Sequence, residues 1–595
     1  MIHFGFRLWR WLMVAATGGI LSTGWVWAAP AARPPAWRLL PKTTALFVSV
    51  ADAPDIVGRF QTTALGQMIQ DPQVEPLVQH LYGSLVGAAA TVQDRLGMTL
   101  PELLSIPQGE LTVAVVVPEK SVPAMVLLLD AGGELSKARQ LLRRGTEALE
   151  KSNAEKTEET VAGTRLTTYQ ISQERQRAAS FFEKDSTIVV GTDAGVLKQV
   201  LAAWSGKDVE SLGENEAFAA IRRHTRESKD QEPQITWYVD PIMLLRGAAQ
   251  RNAGLQLTLA LLPALGLDGL RGLGGSVSLD AGPFDSVVHA HLLVDMPRSG
   301  VLEMLAFDSG DTTPEPWVPA DVATYVTLHW KFGTTFKRLV SLYDSFRGEG
   351  ALAKELGRVQ EATGLHVEKE VLPLLEGRVT FLAWVERPVE SEASRKTLLA
   401  LRLKDPPAAR KLLQAVAKKN EGRMSFQSYG GEDYYEITLP SPPANRPPDA
   451  PPLPQPCVGI VGEYFVVSER VLYRRVIDGA SEPSEGLAGE LDFKLIASKI
   501  RRRAGTAKPA MISFDRPEEN LRFLYELAQS ARAREQLRRG SQRNPLFRAI
   551  DAALEANRLP PFEVLSRYFA PGGSMVIDDE TGIHFTSFSL RRKAR

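Results

Sequence analysis

Short runs of apolar, mostly β-branched residues recur along this chain in adjacent groups, and longer stretches with helical spacing separate the groups. The first run covers 45–50. A helical stretch over 56–96 follows, in which Leu65, Met68 and Ile69, then Val74, Leu77 and Leu81, fall at the intervals of one helix face. Further strands are predicted at 110–117 and 124–130, and a helix from Leu135. The alternation over 165–171 suits a sheet with one buried face. Trp237, Tyr238, Trp330 and Trp384 fall in predicted strands, where aromatic rings pack in sheet cores. The apolar run 255–267 is too short to span a bilayer and contains Pro263, so it reads as a buried helix.

The pattern is then said a second time. Leu40-Pro41 and the strand after them return as Val318-Pro319 and the strand 323–328. The segment from Gly97 to Gly109 leads into a strand, and its echo from Gly364 to Gly377 leads into 378–385. Gly109 and Gly377 stand just before a strand, where a tight connection calls for positive φ. Ala138 to Leu142 matches Ala409 to Leu413, Gly163 matches Gly431, and the doublet Val189-Val190 matches Val466-Val467. Phe218 corresponds to Phe493. Gly274-Gly275 corresponds to Gly572-Gly573.

Adjacent strands joined by short turns are antiparallel, and helices that arrive between groups argue against a regular βαβ array. The expected fold class is therefore α+β: two tandem, similar halves, each a mainly antiparallel sheet backed by helices. The units are expected at 37–307 and 317–595, joined by the turn-rich linker 308–316. Two features break the symmetry. The insertion 441–456 holds eight prolines and reads as a solvated loop. The basic stretch from Arg532 to Arg548, with Arg534, Arg538, Arg539 and Arg543, reads as the solvated face of a helix, with contact to an anionic surface as its functional alternative.

Composition narrows the function classes. The 595 residues carry 70 Lys and Arg against 70 Asp and Glu, which argues against a nucleic-acid binder. Arg7 and Arg10 precede an uncharged stretch over 11–27, and Val26-Trp27-Ala28 offers small residues for signal peptidase. Residues 1–29 read as a signal peptide followed by a spacer over 30–36, with an uncleaved membrane anchor as the alternative. Both place the protein in the periplasm or cell envelope. The single Cys457 excludes an intramolecular disulfide and opens an apolar strand, where it serves as a small buried hydrophobe.

Catalytic constellations are missing: no HExxH, no GxxxxGK[ST], no GxSxG and no dinucleotide-binding glycine pattern occurs. The candidate site residues are histidines. His289 and His291 lie two apart on a predicted strand and share a face, and His584 falls in the matching strand of the second half. Three imidazoles are the start of a zinc or copper site, but no fourth ligand is indicated, so no metal or other cofactor is expected.

Leu40-Pro41 with its strand, the segment from Gly97 to Gly109, and the strand carrying Ile188 to Gly191 resemble a family of exported bacterial proteins catalogued only as a domain of unknown function. The resemblance covers most of the mature chain and brings no catalytic residues. The expected function is that of a non-enzymatic envelope protein that binds a partner or contributes to surface structure. The alternatives are a carrier of lipid or another apolar ligand, motivated by the 255–267 helix, and an unrecognised hydrolase.

Overall fold

The computed structural model describes residues 33–88, 97–119, 122–172, 177–228, 231–439, 454–481, 486–542 and 544–592. The expected signal peptide and most of the proline-rich insertion, together with Arg543, lie outside these residues. Among the described residues no helix is long and apolar enough to cross a membrane.

Ten strands come first: β1 (Thr44–Val50), β2 (Leu111–Val116), β3 (Ala124–Asp130), β4 (Glu155–Val161), β5 (Thr164–Ser172), β6 (Arg177–Lys184), β7 (Thr187–Gly191), β8 (Ile235–Val239), β9 (Leu270–Ala281) and β10 (Phe284–Val294). Ten follow: β11 (Thr324–His329), β12 (Leu375–Val385), β13 (Arg395–Leu403), β14 (Met424–Tyr429), β15 (Glu432–Ile437), β16 (Pro456–Val461), β17 (Tyr464–Glu469), β18 (Met511–Asp515), β19 (Gly572–Asp579) and β20 (Gly582–Leu590). All belong to one antiparallel sheet, so the chain is α+β. The sheet runs unbroken through the pair β10–β20. Outward from β10 the order is β9, β8, β1, β2, β3, β7, β6, β5, β4. Outward from β20 it is β19, β18, β11, β12, β13, β17, β16, β15, β14.

Local chemistry sets the turns. The hairpins β4–β5 and β14–β15 close on Ala162-Gly163 and Gly430-Gly431, all four at positive φ, as the tightest two-residue hairpin turns require. Gly377 also has positive φ, at 123°, but Gly109 does not. Gly109 instead packs close to Asp130: a Cβ there would stand 2.5 Å from the Asp130 carboxylate, which would have to move.

Helices cover both faces. On one, the helices Ala194–Trp204 and Glu216–His224 pack on Phe47, Ala114, Val126, Val189 and Tyr238. The helices Arg470–Ser481 and Leu491–Ala504 do the same over Tyr325, Leu382, Leu398, Val466 and Phe514. This second core continues across β10–β20, taking in Phe284 and Val287 beside Phe588 and Leu590. On the opposite face, the helix Leu135–Lys151 lies against Leu129, Ile188 and Val190, and Phe60 and Ile56 of the helix Ala53–Thr62 lie against Val277 and Leu279.

Aromatic placement follows the expected strands in part. Tyr238 and Trp384 are core residues and Trp237 is half-buried, whereas Trp330 sits beyond β11, bridged to Phe307 and donating its indole N–H to Thr335 Oγ1 at 2.8 Å. The 255–267 run is a correction. It forms the helix Ala253–Leu265, but the helix lies at the surface, with Leu257 and Leu261 exposed and Leu262 its buried side chain. Its apolar residues occur on every side, so sequence gives it no preferred inner face. The basic stretch folds as the helices Ala531–Ser541 and Pro545–Ala556, with Arg538 and Arg539 exposed beside Glu535.

Two buried ion pairs anchor the strands on either side. Glu110, just before β2, accepts hydrogen bonds from Arg33 at 2.7 Å, the Ala36 amide at 3.0 Å, Ser49 at 2.9 Å and Thr112 at 3.1 Å. Arg378 in β12 donates to Thr327 at 3.2 Å and lies 3.1 Å from Glu315, which accepts from Thr380 at 2.6 Å. Ser49 faces Thr112 across β1–β2 as Thr327 faces Thr380 across β11–β12.

Candidate functional site

The structure brings the three sequence-predicted histidines together at the β10–β20 junction. His291 stands opposite His584 in the register, and His289 stands opposite Thr586. A fourth imidazole, His224, arrives from the helix Glu216–His224 and stacks on His291 with ring centroids 4.5 Å apart and planes 9° from parallel.

Hydrogen bonds hold His289 in place. Its Nε2 donates to Glu227 Oε2 at 2.9 Å, and its Nδ1 lies 3.3 Å from His584 Nε2 and 3.2 Å from Thr586 Oγ1. Glu227 also takes both terminal nitrogens of Arg503, from the helix Leu491–Ala504, Nη1 at 2.8 Å. Burial opposes the ionised form of Glu227, but these bonds from His289 and Arg503 prevail and hold its carboxyl well below the usual carboxylate range.

The other two imidazoles are buried neutral. Desolvation, with His224 beside it, lowers His291 to about 4. Desolvation, with His289 and His291 close by, lowers His584 to about 3. The Nδ1 atoms of both are buried without a hydrogen-bond partner. Face-to-face stacking of His224 on His291 does not converge their in-plane lone pairs on one point, as a metal cage demands. Among the described residues no group of three His, Cys, Asp or Glu side chains is arranged to hold a metal ion. The cluster is a hydrogen-bonded joint between the two sides of the sheet, in which burial disfavours the charged forms of His291 and His584.

The surface feature that stands out lies on the sheet face opposite the main cores. Across five adjacent strands, Trp237, Val48, Val113, Leu127 and Val190 are register neighbours in one transverse row, which passes under the helix Leu135–Lys151 at Val190. Beyond the junction, Ser513, Val326, Phe381, Leu399 and Val467 form a second row, with Ser513 buried at one end and Val467 packed beside Tyr435 and Val458 at the other. At the centre of each is an exposed apolar cross-strand pair: Val113 at 36% and Leu127 at 38%, Phe381 at 37% and Leu399 at 40%. Met125, opposite Val115, extends the first stripe and is more exposed still. Single exposed apolar residues are ordinary; adjoining exposed pairs on a sheet are less so.

A cavity of about 490 Å³ opens beside the 308–316 linker, lined by Trp317, Pro319, Arg475 and Glu490 among others. It does not adjoin the apolar helix Ala253–Leu265. Spacing had signalled His289, His291 and His584, and the strand pattern contained the stripes. His224, Glu227 and Arg503 had no such signal, because each reaches the joint from a different element. Comparison with protein-family models, with curated proteins and with solved structures finds no match for this chain.

Proposed function

We propose that this is an exported, non-enzymatic envelope protein, built from two copies of one α+β unit, that binds a partner through the paired apolar stripes of its sheet. The observation that carries the reading is the matched exposure of Val113–Leu127 and Phe381–Leu399. Selection against aggregation removes such pairs from a face that stays wet, and covering them stabilises a complex by on the order of 1 kcal/mol per side chain.

The duplication is supported by the common permutation of strands on the two sides of β10–β20, by the paired hairpin turns, and by the buried ion pairs at corresponding places. Export rests on the Arg-flanked apolar segment ending at Val26-Trp27-Ala28. The surface position of the helix Ala253–Leu265, away from the cavity beside the 308–316 linker, favours a protein partner over an enclosed apolar ligand.

Native mass spectrometry of the protein purified from its own cell envelope tests this reading, with a Leu127→Glu/Leu399→Glu double variant beside it. A bound protein on the wild type that is lost from the folded variant supports it. Bound lipid in place of protein turns the reading to a carrier, and identical spectra from both proteins overturn it.

A further inference from the structure

We propose that β14 is a docking edge for a second copy of this chain, whose own β14 pairs with it antiparallel and continues the sheet across a two-fold axis. The sheet is open, so it has two outer strands, β4 and β14, each with one strand partner among the described residues. An unpaired edge presents a row of backbone N–H and C=O groups, and exported proteins guard such edges with charge.

The two edges are guarded differently. β4 carries Glu155, Lys156, Glu158 and Glu159 in seven residues, and its side chains are almost all exposed. Lys156 pairs with Glu158 at 2.9 Å and Lys198 with Glu159 at 2.8 Å, so the edge is acidic and already laced with ion pairs. The six residues of β14, Met424–Tyr429, contain no charge at all. Phe426 stands out from β14, 59% exposed, with one edge against the Tyr435 ring at 5.9 Å. Ser425 and Ser428 are exposed beside it.

These differences select the occupant. A head-to-tail union of β14 with β4 would set an uncharged strand against an acidic one and would propagate without closing. Two β14 strands meet without like-charge repulsion, and an antiparallel self-pair closes after two copies. The chain already joins its own two flanks in this manner: β10 and β20 pair antiparallel, edge to edge, and share one core across the junction. The β14 edge is separate from the apolar stripes, so the inference stands apart from the proposed function.

Sedimentation velocity on the full chain tests it between about 1 and 100 µM. The wild type is expected to be a dimer in this range, and Leu127→Glu/Leu399→Glu to leave it a dimer. Ser425→Glu/Ser428→Glu places like charges across the self-pair and is expected to weaken dimerisation at least tenfold. Ser425→Lys/Ser428→Lys is expected to behave likewise, and an equimolar mixture of the two variants to recover the dimer. A wild type that stays monomeric at 100 µM, or a dimer indifferent to both substitutions, overturns the proposal, as does failure of the folded variants to pair with each other.

Discussion

Glu110 and Arg378 each follow a glycine at the mouth of a strand, one an acid and the other a base, and each is buried against a partner of opposite sign. Arg33 answers Glu110 from the segment before β1, and Glu315 answers Arg378 from the segment before β11. Each pair sits among two hydroxyls, Ser49 and Thr112 beside the one, Thr327 and Thr380 beside the other. The pairing fits the electrostatics: one buried charge without the other is far more costly than the pair.

Arg378 and Glu315 are 4% and 3% exposed, so removal of one partner is expected to be severe. Arg378→Met should destabilise the protein by about 3–5 kcal/mol, because it leaves the Glu315 carboxylate buried and unpaired. The double variant Arg378→Met/Glu315→Leu should recover most of that loss. Urea denaturation of the three proteins measures both values, and a double variant no more stable than the single would contradict the pairing.

Acid should loosen the β10–β20 joint. His291 and His584 are lowered to about 4 and about 3, chiefly by burial, so between those values and 6.5 the unfolded chain binds protons that the folded chain does not. Their contribution to stability is full above about pH 6.5 and falls as the pH drops below it, by up to about 1.4 kcal/mol per pH unit for each. Glu227, held low by His289 and Arg503, acts in the same direction at still lower pH. The melting temperature should therefore decline from pH 6.5 to 4.5, and the decline should be shallower in His291→Gln/His584→Gln. A parallel decline in both proteins would contradict the assignment.

Cys457 is fully buried among Tyr434, Tyr473 and Val466, and burial pushes its thiol up to about 12. Thiolate is the reactive form, so the native protein should react with a disulfide reagent on the order of a thousandfold more slowly than the denatured chain. Labelling traces with and without denaturant check this. Rapid native labelling would show that the β16–β17 core opens readily.

Much of the fold was legible in the chain. The α+β class, the antiparallel pairing and the positions of β1, β2 and β3 follow from short β-branched runs and their flanking glycines. What periodicity could not supply was partnership at long range. His289 and His584 are 295 residues apart, and nothing in either strand says that they are hydrogen-bonding distance from each other. His224 and Glu227 reach them from the end of a helix and the turn after it, at separations no spacing rule covers. The helix Ala253–Leu265 was misread for a different reason: an apolar composition implies burial only when one face is richer than the other, and here none is. The glycine before β2 stands where expected, but without the positive φ that a tight connection calls for, and it lies close to the Asp130 side chain.

The most direct test concerns the two stripes. An environment-sensitive apolar dye titrated onto the folded protein should report two sites per chain, one at Val113–Leu127 and one at Phe381–Leu399. Leu127→Glu should remove one site, Leu399→Glu the other, and the double variant both, at unchanged melting temperature. Dye binding indifferent to both substitutions would contradict the stripes as a binding surface.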